Sequence, residues 1–147
     1  LSVGSSRVMF FGGFAVTIGV GLRVISGGQS FLSYSILAAA LGLITAAAVI
    51  SWIAPSYYEL PTHHCPLCLL ASENGYVGYP LYLLLATAVI SGIGSGLVRV
   101  LRGIDVHRCI RPSEERRLCT VSVMSFVAVA AIATWPLLAS PFRLEGY

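Results

Sequence analysis

The chain has 147 residues, of which 56% are hydrophobic and only 10% charged, with a formal net charge of +3. Soluble domains carry roughly 25% charged residues, so a water-facing polar shell is missing and a hydrocarbon solvent accounts for both proportions. All nine basic residues are arginine, and they gather at segment ends instead of forming a polar stripe, which excludes a nucleic-acid footprint.

The length suits one domain, residues 1–147. The chain opens on Leu1 instead of methionine, an opening compatible with a cleaved leader, upstream residues or an unusual start codon. A membrane span needs ~20 predominantly apolar residues, and four stretches approach or meet that length. Residues 8–25 are the shortest and include Arg23, which can snorkel to the interface from a helix end. Residues 31–54 and 75–98 carry no charge, and residues 119–140 carry none either, with Pro136 near their far end. Core helices of soluble proteins rarely run so far without a charge. The predicted fold is therefore all-α: a polytopic integral membrane protein, a small bundle of four transmembrane helices with short connections.

Small residues recur at the four-residue interval within these stretches: Gly13, Thr17 and Gly21; Ala38 and Gly42; Gly92 and Gly96. That spacing lets helix backbones approach closely in lipid, within the bundle or at a subunit contact. No polar strand-to-helix phosphate loop surrounds the glycines, so they are not a nucleotide fingerprint.

Orientation follows from arginine bias. The stretch 99–118 holds six of the nine arginines, whereas 55–74 holds none and carries only Glu59 and Glu73. The positive-inside rule places the first loop in the cytoplasm and the second outside, in a bacterial inner membrane. Trp52, Tyr57, Tyr58, Tyr76, Tyr79 and Trp135 then fall near the outer interface, where amphipathic rings settle. Tyr57, Tyr58 and Glu59 are read first as interface anchors and second as the lining of a quinone or ion site. The arginines suit anionic lipid head groups, and His107 reads as a solvated loop residue.

Chemistry concentrates in the outer loop, in Thr62-His63-His64-Cys65-Pro66-Leu67-Cys68. Pro66 suits the first position of a helix, which makes Cys65 the N-cap of a short helix through Leu70, with Glu73-Asn74-Gly75 as its stop. A thiol there faces the positive end of the helix and its thiolate is favoured, more so beside a protonated His64. Cys68 follows one turn later, close enough to close a disulfide or share a metal.

Two active readings result. In the redox reading Cys65 is the attacking thiol, Cys68 the resolving one, and His64 stabilises the thiolate. In the metal reading Cys65 and Cys68 with His64 or His63 form a sulfur–nitrogen set for copper or zinc, in association with a transporter. The inert reading is a structural disulfide stapling the loop, which a three-residue separation permits only with strain. Attached c-type haem requires histidine after the second cysteine, and Leu69 stands there.

The Cys-Pro-x-Cys at a helix start resembles the active sites of thioredoxin-fold oxidoreductases, over four residues. With the second pair, Cys109 and Cys119, the four-span pattern also looks like the bacterial disulfide-bond oxidases that pass electrons to quinone. That family carries both pairs on one outer face, whereas here the span 75–98 separates them by ~30 Å of hydrocarbon. Cys109 and Cys119 are expected to stay thiols in a reducing cytoplasm. Ser113, after Pro112 and before Glu114 and Glu115, reads as the N-cap of the last helix. No intramembrane acid and no Ser-His-Asp set is expected, which leaves hydrolase and proton-pump chemistry without residues. The expected function is a membrane thiol–disulfide or electron-transfer component, with a soft-metal protein and a packing subunit of a respiratory or transport complex as alternatives. With so little mass outside the lipid bilayer, other membrane subunits or an extracytoplasmic redox or metal partner are expected in each case.

Overall fold

The computed structural model describes residues 3–59, 65–103 and 112–139. Four helices in it are long and apolar enough to cross a membrane: Val3–Ile25, Phe31–Tyr58, Gly78–Leu101 and Ser113–Ala139. We label the helical elements α1 (Val3–Ile25), α2 (Phe31–Ala48), α3 (Ala54–Tyr58), α4 (Gly78–Gly103) and α5 (Pro112–Ala139), with a π turn, Val49–Ile53, joining α2 to α3. No strand occurs among the described residues. Helix α2 packs on α1 and α4, and α5 packs on α4 and closes onto α1, so the bundle is a four-membered ring.

The helix bounds differ from the hydropathy runs for identifiable reasons. Helix α1 begins at Val3 and not at residue 8, and the Arg7 guanidinium lies over the Trp52 ring at 5.7 Å. The second span runs past Ala54 to Tyr58 because the π turn accommodates Pro55. In α geometry the proline ring would meet the carbonyl four residues back; the widened turn relieves this, and the Ala54 N–H bonds instead to the Val49 carbonyl. Ser56 Oγ donates to the Trp52 carbonyl at 2.6 Å. The third span starts only at Gly78, since Gly75 and Tyr76 adopt left-handed φ of 63° and 58°. Helix α5 starts at Pro112, which places Ser113 inside its first turn and not at the N-cap. The α1–α2 connection is a Schellman motif: Gly28 N–H donates to Arg23 C=O and Gly27 N–H to Val24 C=O, with Gly27 at φ +115°. A Cβ on Gly28 would lie 2.8 Å from the Arg23 oxygen, so both glycines are required.

Two buried layers fill the ring. Near one end Phe10, Trp52, Ile53, Leu69, Leu81 and Val129 pack together; near the other, Val24, Tyr34, Leu41, Ala88, Cys119 and Phe126 do. Large apolar side chains such as Leu43, Leu83, Ile90 and Leu138 point outward, as a hydrocarbon solvent allows. Hydroxyls inside the helices are satisfied at close range, as lipid demands: Thr17, Thr45, Ser51 and Thr87 donate to the carbonyl four residues back. Between helices, Tyr34 Oη donates to Ser122 Oγ at 2.8 Å and Ser122 Oγ to the Ala88 carbonyl at 2.6 Å.

The small residues serve these contacts within the chain. A Cβ on Gly92 would lie 2.6 Å from Ala38 Cβ, one on Gly96 2.5 Å from Ser35 Cβ, and one on Gly42 2.5 Å from Val89 Cγ2. Trp52 is fully buried against Phe10, at 5.5 Å between ring centroids and edge-on, and is a core residue instead of an interface anchor. Tyr76, Tyr79 and Trp135 are exposed. Among the described residues one acid is buried, in the first turn of the last helix: Glu115, 2% exposed, whose Oε2 lies 3.7 Å from Arg99 Nη1. Pairing makes that burial tolerable. Arg99 also donates to Gln29 Oε1 at 3.4 Å and covers the Phe31 ring, so this arginine is engaged by protein.

Candidate functional site

The thiol segment lies at the end of the bundle where α3 finishes and α4 begins. It is a single 3₁₀ turn, Pro66–Leu70, followed by a second, Ser72–Asn74. Pro66 takes the first position and Cys65 the N-cap, with extended backbone at φ −75° and ψ 110°. The turn is anchored from below by Leu69, which is fully buried in the layer that holds Trp52 and Leu81. Gly78, the first residue of α4, lets the turn sit close: a Cβ there would lie 2.9 Å from the Leu69 carbonyl oxygen.

Side chains from three directions hold the backbone. Tyr58 Oη, at the end of α3, donates to the Cys65 carbonyl at 2.8 Å. Tyr82 Oη, in the first turns of α4, donates to the Pro66 carbonyl at 2.5 Å. Asn74 Nδ2 donates to the Cys68 carbonyl at 2.9 Å, and the Ala71 N–H bonds to the same oxygen at 3.1 Å. Left-handed residues bound the segment, Glu59 at φ 55° before it and Tyr76 at φ 58° after it. Such backbone costs of order 1–3 kcal/mol for residues other than glycine and persists where its surroundings impose it.

Cys65 and Cys68 are both thiols not joined in a disulfide, half-buried, and in contact with each other. Their surroundings are unequal. The Cys68 thiol donates to the Cys65 sulfur, and the Cys68 and Leu67 N–H groups face it, which together hold the Cys65 pKa below the ordinary thiol value. The same hydrogen bond pushes Cys68 up, helped by partial desolvation and by the negative charges of Cys65 and Glu73. Five residues of 3₁₀ helix carry little macrodipole, so individual N–H groups and not a long helix dipole favour the thiolate.

His63 and His64 lie outside the described residues, as does Cys109. Among the described residues no three His, Cys, Asp or Glu side chains assemble into a metal-binding group. Cys119 is not a loop residue: it is fully buried on α5, with its Sγ 3.8 Å from the Gly21 carbonyl. It belongs to the core layer at the opposite end from Cys65 and Cys68.

Composition pointed to the cysteines, but not to Tyr82, Gly78 or Leu69, which seat them. The one available signal was positional. Tyr58 and Tyr82 each stand at a helix end bordering the thiol loop, where a phenol can turn inward as readily as toward lipid. No family model, curated protein or solved structure matches the chain.

Proposed function

We propose that the chain is a thiol–disulfide oxidoreductase component of a membrane, working through Cys65 and Cys68. The observation that supports this is the asymmetry of the pair: one thiol is favoured as thiolate by its neighbour, and the neighbour is held as thiol by the same contact. That is the division of labour an exchange reaction needs. The Cys65 thiolate attacks one sulfur of a partner disulfide, forming a mixed disulfide and releasing the first partner thiolate. Cys68, deprotonated as it attacks, then displaces the partner's second sulfur from Cys65. The chain ends with a Cys65–Cys68 disulfide and the partner with two thiols; the reverse sequence oxidises the partner.

The thiol end faces outward and the arginine end the cytoplasm, in a bacterial inner membrane; the arginine count supports this orientation. The partner is an extracytoplasmic disulfide or dithiol protein, or another membrane subunit. Purified protein should lose and regain two accessible thiols through cycles of oxidation and reduction, with no metal bound in stoichiometric amount. Reduced thiols with stoichiometric copper or zinc would overturn the proposal, and so would thiols that never pair.

A further inference from the structure

The carbonyls of Cys65 and Pro66 are adjacent acceptors on the N-cap side of the thiol turn, and each receives a phenol from a different helix. Neither phenol donates to a sulfur in these contacts; both hold backbone. The Cys65 carbonyl belongs to the Cys65–Pro66 peptide and the Pro66 carbonyl to the next one, Pro66–Leu67, whose N–H is the Leu67 donor that faces the Cys65 sulfur. We propose that Tyr58 and Tyr82 are positioning residues of the thiol exchange, clamping these two consecutive peptides so that the turn stays aimed at Cys65. The inference rests on the redox reading above and adds to it the two side chains that set its geometry.

The groups facing the thiols are few among the described residues. Tyr58 stands close to both sulfurs and Tyr82 close to that of Cys65, while Glu73 bears on Cys68. The phenols are neutral donors already committed to carbonyls, so their effect on the sulfurs runs through the backbone. Loosening the turn weakens the contacts that stabilise the reduced, thiolate form, and the dithiol–disulfide balance moves toward disulfide.

The test compares Y58F, Y82F and the double variant with wild type, using full-length protein in detergent or nanodiscs. The dithiol–disulfide equilibrium is set against a glutathione buffer and read by the fraction of alkylated thiols. The Cys65 alkylation rate is read over a pH series. Each single variant is expected to shift the equilibrium about fivefold toward disulfide, roughly 20 mV more negative from ~30 mV per tenfold change. The pH midpoint of Cys65 alkylation should rise in parallel. Tyr57→Phe is the control, since its hydroxyl serves Ile132 on α5; it should lower the unfolding midpoint while leaving equilibrium and pH profile at wild-type values. If both clamp variants keep the wild-type equilibrium and profile, the clamp is refuted while the redox reading stands. An equal shift in Tyr57→Phe also overturns the clamp, because general loosening then accounts for it. If wild type forms no reversible Cys65–Cys68 disulfide, the redox reading itself fails and the clamp with it.

Discussion

Tyr57 donates its hydroxyl to the Ile132 carbonyl at 2.6 Å, and Ile132 is the residue whose helical partner would be the N–H that Pro136 lacks. A proline inside a helix strands the carbonyl four residues back, and lipid offers no water to satisfy it. The phenol from α3 takes that place, so the end of the second span and the end of the last are joined through a defect in one of them.

Removing the phenol should therefore cost more while the defect is present. Tyr57→Phe is expected to destabilise the bundle by about 1 kcal/mol, the usual scale of a buried hydrogen bond. In a Pro136→Ala background the carbonyl regains its own N–H and the same change should cost less. Unfolding of the four proteins of this cycle in mixed micelles measures the coupling; an equal cost in both backgrounds would show that the two residues do not interact.

The glycine positions divide by what surrounds them. Gly92→Ala forces its Cβ between Ala38 and Ser122 and should cost about 1–3 kcal/mol through overpacking. Gly19→Ala meets nothing within 4 Å and should be neutral or stabilising by up to ~1 kcal/mol from helix propensity. Because the Gly92 contact lies within one chain, the oligomeric state in detergent should be the same for both variants. A change of assembly with Gly92→Ala would instead mark a subunit interface.

The lowered pKa of Cys65 has a direct pH signature. Its thiolate persists below the free-thiol range near ~8.5, so alkylation of Cys65 should remain fast as pH falls through that range and be lost only at its own lower midpoint. Cys68, shifted upward, should react fully only above the range. The hydrogen bond from Cys68 is the largest cause of the Cys65 shift, so Cys68→Ala should move the Cys65 midpoint upward. A midpoint for Cys65 at or above the free-thiol value would remove its role as attacking thiol.

His64 stands directly before the N-cap. In the redox reading, His64→Ala should slow Cys65 alkylation near neutral pH while the disulfide still forms, and His63→Ala should matter less. Stopped-flow alkylation of the two variants separates them; full retention of rate in both, together with full activity of Cys65→Ser, would make the loop a structural one.

Sidedness is open to labelling. A membrane-impermeant maleimide added to intact cells after reduction should modify Cys65 and Cys68 but not Cys109, and buried Cys119 should resist reagent from either side. Labelling of Cys109 from outside would invert the orientation.

Hydropathy alone was enough to find four membrane-length helices, because the bilayer imposes one requirement on every spanning residue and the chain meets it without help from distant residues. Local backbone chemistry was legible at the thiol segment: Pro66 after Cys65 starts a turn, because the ring fixes φ and the missing N–H costs nothing at that position. Span limits were less so, since Pro55 could be passed by a π turn and Gly75-Tyr76 could turn left-handed. What only the tertiary structure decided is which polar group meets which. Trp52 and Glu115 look like surface residues by type, yet both are buried, because Phe10 and Arg99 reach them from other helices. Tyr57, Tyr58 and Tyr82 share one side-chain chemistry, but one completes a proline-broken helix and two hold the thiol turn. A hydroxyl in lipid must find an acceptor, and which acceptor it finds depends on helix rotation and packing across the ring, which no local stretch of residues specifies.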